Sequence, residues 1–325
     1  MLRDSRGFFE AMAGDGRPLI ALSGLCLALS GAFALFQSMT GHFLPHDTEF
    51  LQMSVRDLCG IDECRIVHFM FHDRVSFGGS LIAIAVLYLW LAEFPLKAGE
   101  AWAWWTLVLS GVAGFGSFLT YLGYGYLDTW HGAATLVLLP CFVGGLWLSR
   151  RGVVEQSAAL GNDSSWRCLL RPAVGASWWS VAGIGRICLL MAGLGMIGAG
   201  LTIQLIGMTA VFVPTDLEFM NLTADQIDAI NPRLIPLIAH DRAGFGGGVA
   251  TAGLLLLATV WCGNWSRSLW QALLIAGIAG WTTAVGVHPV IGYIDAGHLA
   301  PAVTGAILFF TGLILMRFGS PGDFD

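Results

Sequence analysis

Residues 72–92 read HDRVSFGGSLIAIAVLYLWLA, and residues 240–261 read HDRAGFGGGVATAGLLLLATVW. Each stretch opens with a histidine, an acid and an arginine. Each then runs apolar for about the 20 residues a helix needs to cross a bilayer. The two openings lie 168 residues apart. Three further motif pairs keep nearly that spacing, from 167 to 169 residues. Ala13-Gly14-Asp15-Gly16-Arg17 answers to Ala182-Gly183-Ile184-Gly185-Arg186. Phe43-Leu44-Pro45-His46-Asp47-Thr48-Glu49-Phe50 answers to Phe212-Val213-Pro214-Thr215-Asp216-Leu217-Glu218-Phe219. Gly125-Tyr126-Leu127-Asp128-Thr129-Trp130-His131 answers to Gly292-Tyr293-Ile294-Asp295-Ala296-Gly297-His298.

Ordered matches at one offset point to an all-α, polytopic membrane protein with two tandem copies of a four-helix unit. The units are expected at 1–150 and 178–325, with a cytoplasmic linker at 151–177. An even number of spans per unit makes the copies parallel, related by a pseudo-twofold axis along the membrane normal. Eight transmembrane helices are expected at 18–41, 68–92, 102–123, 127–148, 186–210, 240–261, 268–288 and 294–316.

Composition agrees with lipid as the solvent. Of the 325 residues, 56% are hydrophobic and 12% are Asp, Glu, Lys or Arg, about half the roughly 25% usual in soluble domains. The 43 glycines recur inside the apolar runs, where small residues let helices approach closely. A net charge of −6 with scattered basic residues excludes nucleic acid as a partner. Residues 1–18 lack the apolar core and cleavage site of a signal peptide, so the first apolar run is expected to remain as a helix.

Eleven of the 16 basic residues fall at one end of the expected bundle, among them Arg17, Lys97, Arg150, Arg151, Arg186, Arg267 and Arg317. That end is expected to be cytoplasmic, with both termini inside and a bacterial plasma membrane as the setting. The opposite face carries 13 acids against five arginines. Two long segments belong to that outer face, 42–67 and 211–239, each expected to contain a short helix. Thr223 with Gln226 has the form of a capping box, and Asn231-Pro232 should end that helix. Cys59 and Cys64 lie in the first outer segment, where a disulfide and a reduced pair are both open.

Apart from Arg17 and Arg186, the shared polar residues collect near the outer helix ends. Asp47, Glu49, His72, Asp73, Arg74, Asp128 and His131 form one set, and Asp216, Glu218, His240, Asp241, Arg242, Asp295 and His298 form the other. Ionisable groups at membrane depth are costly and often functional. Histidine binds haem iron, copper, zinc or non-haem iron, and a neighbouring carboxylate orients it and raises its basicity. The metal-ligand candidates are His72, His131, His240 and His298, expected to face each other as His72 with His131 and His240 with His298. The same residues can instead be ion pairs stapling each outer segment to its bundle. His42, His46 and His68 occur only in the first unit, and His288 only in the second, where it stands opposite Tyr121.

This arrangement resembles the haem A synthase family, with eight helices in two parallel halves and histidines on the second and fourth helix of each. The resemblance implies a haem b held by His240 and His298, near Arg242 and Asp295. It places a substrate haem by His72 and His131 and suits Cys59 and Cys64 to the first outer loop. The family has a glutamate three residues before the helix-two histidine and an arginine directly after it. Here Phe69 and Leu237 stand at the glutamate positions, and Asp73 and Asp241 intervene before Arg74 and Arg242. The departure argues against haem O oxidation.

The leading expectation is a membrane oxidoreductase-like protein that binds haem or a divalent transition metal near the extracytoplasmic face. Its partners would be the lipid bilayer and a lipophilic or haem-like small molecule. A non-haem metal enzyme would use Asp47, His72, Asp128 and His131 to activate water or oxygen. A transporter would need polar residues deeper in the spans than this sequence supplies, and a non-catalytic subunit would use its acidic outer segments to meet a protein.

Overall fold

The computed structural model describes residue 7 and residues 12–119, 126, 129–173 and 177–319, and the regular elements among them are all helical. Helix α1 (Arg17–Met39) leads into a cap of two short helices, α2 (Pro45–Leu51) and α3 (Val55–Cys59). A 3₁₀ turn at Asp62–Cys64 precedes α4 (Arg65–Glu93), α5 (Ala101–Leu119) and α6 (Thr129–Ala159). A second 3₁₀ turn at Trp166–Leu170 leads to α7 (Val181–Gly207) and another cap, α8 (Pro214–Met220) with α9 (Ala224–Ile230). The chain ends in α10 (Leu234–Cys262), α11 (Arg267–Ile291) and α12 (Ala296–Gly319). Eight of these helices, α1, α4, α5, α6, α7, α10, α11 and α12, are long and apolar enough to cross a membrane.

Polar residues outside the apolar runs set several ends. Ser180 Oγ accepts the Gly183 N–H, so α7 begins at 181 and not at the expected 186. Ser266 Oγ does the same for Leu269 at the start of α11. Helix α6 continues past the expected 148 to Ala159. Its extension is held to α5 by Arg150, which lies 4.5 Å from the Trp104 ring and donates to the Ser164 carbonyl. Trp105 Nε1 donates to the same carbonyl, so the expected linker begins as helix.

Both caps use the same local chemistry. Pro45 and Pro214 occupy the first helical turn, where a missing N–H costs nothing. Three residues beyond each N-cap, Asp47 accepts the Leu44 N–H and Asp216 the Val213 N–H. Thr223 and Gln226 form the expected capping box, and α9 stops before Asn231. Cys59 and Cys64 are joined in a disulfide.

Helices α4 and α10 are the buried centre and pack against each other. Helix α4 also lies along α1 and α11, and α10 along α7 and α5. Thus the third long helix of each sequence unit packs on the second long helix of the other. Helix α6 closes on α1 and α5, and α12 on α7 and α11. Close approach is possible where Gly31 meets Gly78, and again where Gly200 meets Gly246. A Cβ at any of these four would press on the facing carbonyl oxygen. The caps are exchanged as well. Arg65 donates to the Phe219 carbonyl at 3.3 Å, and Arg233 donates to the Phe50 carbonyl at 2.6 Å.

Candidate metal centre and its ion network

The motif His-Asp-Arg sits two turns inside α4 and α10, since these helices begin at Arg65 and Leu234. Successive residues on a helix point about 100° apart, so each of the three side chains meets a different neighbour. His72 Nδ1 lies 2.9 Å from Asp73 Oδ1, and His240 Nδ1 lies 3.2 Å from Asp241 Oδ1. The arginines then cross between units. Arg74 donates to Asp47 of its own cap and to Asp241 of α10, both at 2.7 Å. Arg242 donates to Asp216 at 2.5 Å and to the Val211 carbonyl at 2.6 Å, with Asp73 of α4 at 3.7 Å. Tyr126 donates to Asp47, and Tyr293 donates to Asp216 at 2.9 Å. Burial pushes the Tyr293 phenol well above its ordinary value, so it remains a donor.

Four buried or nearly buried carboxylates, Asp47, Asp73, Asp216 and Asp241, therefore face two guanidiniums, Arg74 and Arg242. Buried charge is expensive unless compensated. Each network keeps one carboxylate charge in excess, beside the imidazoles of His72 and His240.

The imidazoles do not pair within units as expected. His72 meets His288 and His298, with ring centroids 4.6 and 5.5 Å away. His131 meets His240, with centroids 5.1 Å apart. The cause is the interleaved packing. Helix α11 lies on α4 and brings His288 with it, while α12 brings His298 to the same place. The expected His72–His131 and His240–His298 pairs give way to pairs between units.

One nitrogen from each of His72, His288 and His298 lies within 4.8 Å of the other two. His72 Nε2 and His288 Nε2 are 3.1 Å apart. Tautomers can be assigned from the remaining partners. Asp73 takes the Nδ1 proton of His72. Tyr293 gives its hydroxyl proton to Asp216 and accepts from His298 Nδ1 at 3.1 Å. Both histidines are therefore left with a lone pair on Nε2. A single neutral His288 can offer a proton to only one of them. Lone pairs brought together in this way suit a cation. Ligands on a tetrahedral ion with metal–nitrogen bonds of about 2.0–2.1 Å hold their nitrogens roughly 3.3–3.4 Å apart; here His72 and His288 are 3.1 Å apart, a spacing a hydrogen bond also gives, and the pairs with His298 lie within 4.8 Å.

The other expected site residues divide. Asp73, Arg74, Asp47 and Arg242 hold the frame just described. Asp295 accepts the His298 backbone N–H at 2.6 Å, at the start of α12. Glu49 and Glu218 are exposed on the caps, away from the imidazoles. Asp128 lies outside the described residues. His288 was legible as an ionisable residue in an apolar span just before Pro289, yet the repeat pattern passes over residues found in one unit alone. Comparison with protein-family models, curated proteins and solved structures gives no match.

Proposed function

We propose that the chain is an integral membrane metalloprotein of the oxidoreductase type. Its divalent transition metal would be held by His72, His288 and His298 beside an apolar cavity, where a lipophilic molecule meets it. The observation that carries this reading is the meeting of two lone-pair nitrogens, oriented by Asp73 and Tyr293, with a third imidazole. Three histidines and an open position are a common catalytic donor set, and a bound metal supplies Lewis-acid or one-electron chemistry. The chain's own residues hold and orient the ligands, exclude bulk water, and leave one carboxylate charge in excess that would balance part of the metal's. The distribution of basic residues supports a cap end outside the cytoplasm and both termini inside, with the Cys59–Cys64 disulfide in accord. The paired contacts of Asp47 with Arg74 and of Asp216 with Arg242 support a duplicated ancestor with parallel halves.

The test is metal analysis and a visible spectrum of the protein purified in detergent. The expected result is near-stoichiometric transition metal with no Soret band. The metal should be lost in His288→Ala and retained in His131→Ala. A Soret band abolished by substituting His240 or His298 would replace the metal with haem. A protein with neither would make the ion network a lock between caps and bundle.

A further inference from the structure

A cavity of about 1080 Å³ opens from the three histidines and runs away from the caps between α4, α7, α10, α11 and α12. It is larger than most small-molecule pockets, which hold about 300–1,000 Å³. Helix α4 lines it from His72 to Leu87, and α11 from Leu273 to His288. At 1.5 Å per residue each stretch covers about 22 Å, more than the roughly 15 Å depth of one leaflet. The shape is a wedge. Helices α7 and α12 touch at the far end, where Gly185 packs on Gly312 and Gly319 on Ala182. Toward the caps, Gly195 and Gly198 of α7 have nothing within 4 Å. Gly195 and Ile203 of α7 and Ala300 and Thr304 of α12 wall the open part.

The wedge is largely apolar along its length, with the side chains of Ser76, Ser80, Thr202 and Thr304 the polar groups in its walls, and its charged groups and imidazoles gather at one end with Thr215, Arg242 and Asp295. Arg242 is already held by Asp216, Asp73 and Val211. No unengaged cation awaits a phosphate there, and the Asp295 carboxylate would repel one. A neutral head that can hydrogen-bond and approach the imidazoles fits this end.

We propose that the cavity takes a neutral single-chain lipid with a hydroxyl head, a long-chain alcohol or phenol. It enters from the bilayer between α7 and α12 and lies with its head at His72, His288 and His298. The head position rests on the metalloprotein reading, whereas the chain position rests on the wedge alone.

The experiment uses the full chain in phosphatidylcholine nanodiscs and a hexadecanol analogue with a photoactivatable group in mid-chain. The expected result is labelling confined to peptides of the helices that line the wedge, α4, α7, α10, α11 and α12. Excess hexadecanol should abolish it. Octanol fills only about half of the roughly 22 Å wedge and forgoes the packing of the remaining methylenes, so at equal mole fraction in the bilayer it should compete more weakly. Gly195→Phe fills the wedge and should bring labelling to background with metal content unchanged. Gly198→Phe, which has space but lies outside the lining, should leave labelling intact and shows that a bulky residue on α7 is tolerated. Equal labelling in Gly195→Phe, or labelling spread over α1 and α6, would overturn the proposal. So would octanol competing as well as hexadecanol. Better competition by hexadecyl phosphate would assign the space to bilayer phospholipid and overturn the neutral head. Labelling that follows the expected pattern in a protein without metal would uphold the lipid site and remove the metal. Metal without this labelling would do the reverse.

Discussion

Around His72 stand His288, His298 and Tyr293, whereas around His240 stand His131 and Tyr126. The frames behind the two rings match. Each ring leans on the next residue's carboxylate, each carboxylate reaches an arginine of the other unit, and each arginine holds a cap aspartate. The difference lies at position 288, where the third long helix of the second unit supplies an imidazole and the offset partner is Tyr121. A duplicated frame thus fixes where the second-helix histidine points. The number of ligands it meets is decided by one side chain on a helix from the other unit.

The largest effect expected from disturbing this comparison concerns the frames themselves. Asp216→Ala leaves Arg242 buried with a distant Asp73 and one carbonyl, which should cost about 3–5 kcal/mol. Asp47→Ala should cost less, because Arg74 keeps Asp241 at 2.7 Å and is more exposed. Thermal unfolding in detergent measures both, and equal shifts would show that the two frames carry the same load. A smaller effect separates the clusters. Asp73→Asn weakens the orientation of His72 and should lower metal affinity by about 10–100-fold. Asp241→Asn should leave that affinity near its starting value, as read by competition with a chelator of known strength. Loss of affinity in the second variant and not the first would move the metal to His131 and His240. The smallest effect is shared. Ser54→Ala and Thr223→Ala each remove a cap side chain from α3 and α9 and should cost about 1 kcal/mol apiece. A much larger cost in either by unfolding would mean that its cap helix stabilises more than its own first turn.

Much of the fold was legible because a helix long and apolar enough to cross a membrane announces itself as a long apolar run. The expected spans coincide with the eight long helices to within four residues, except at the start of α7, where Ser180 caps, at the end of α6, which the Arg150–Trp104 contact accompanies, and at the start of α10, which begins at Leu234 and not at the expected 240. The frame was legible too, since Asp47, Arg74, Asp216 and Arg242 recur at one offset and opposite charges seek each other in low dielectric. Which imidazoles meet was not legible. That depends on α11 lying on α4, a packing set by small residues such as Gly79, where a Cβ would strike Thr283. Glycines are so frequent in this chain that no one of them announces its partner. His288 stood out as peculiar to the second unit, but a reading based on recurrence gave a residue without a counterpart no place in the ligand set.

The crossed arginines have a consequence for how such a molecule can exist. Arg74 finds a carboxylate in the second unit, Arg242 finds one in the first, and Arg65 and Arg233 clasp opposite caps. A chain carrying a single unit would be left with half of each handshake. It could close them only by associating with a second copy of itself in a twofold homodimer. In that homodimer any change at the position of His288 would appear on both sides. In the single polypeptide that constraint is absent, and one side carries an imidazole at this position where the other carries a tyrosine.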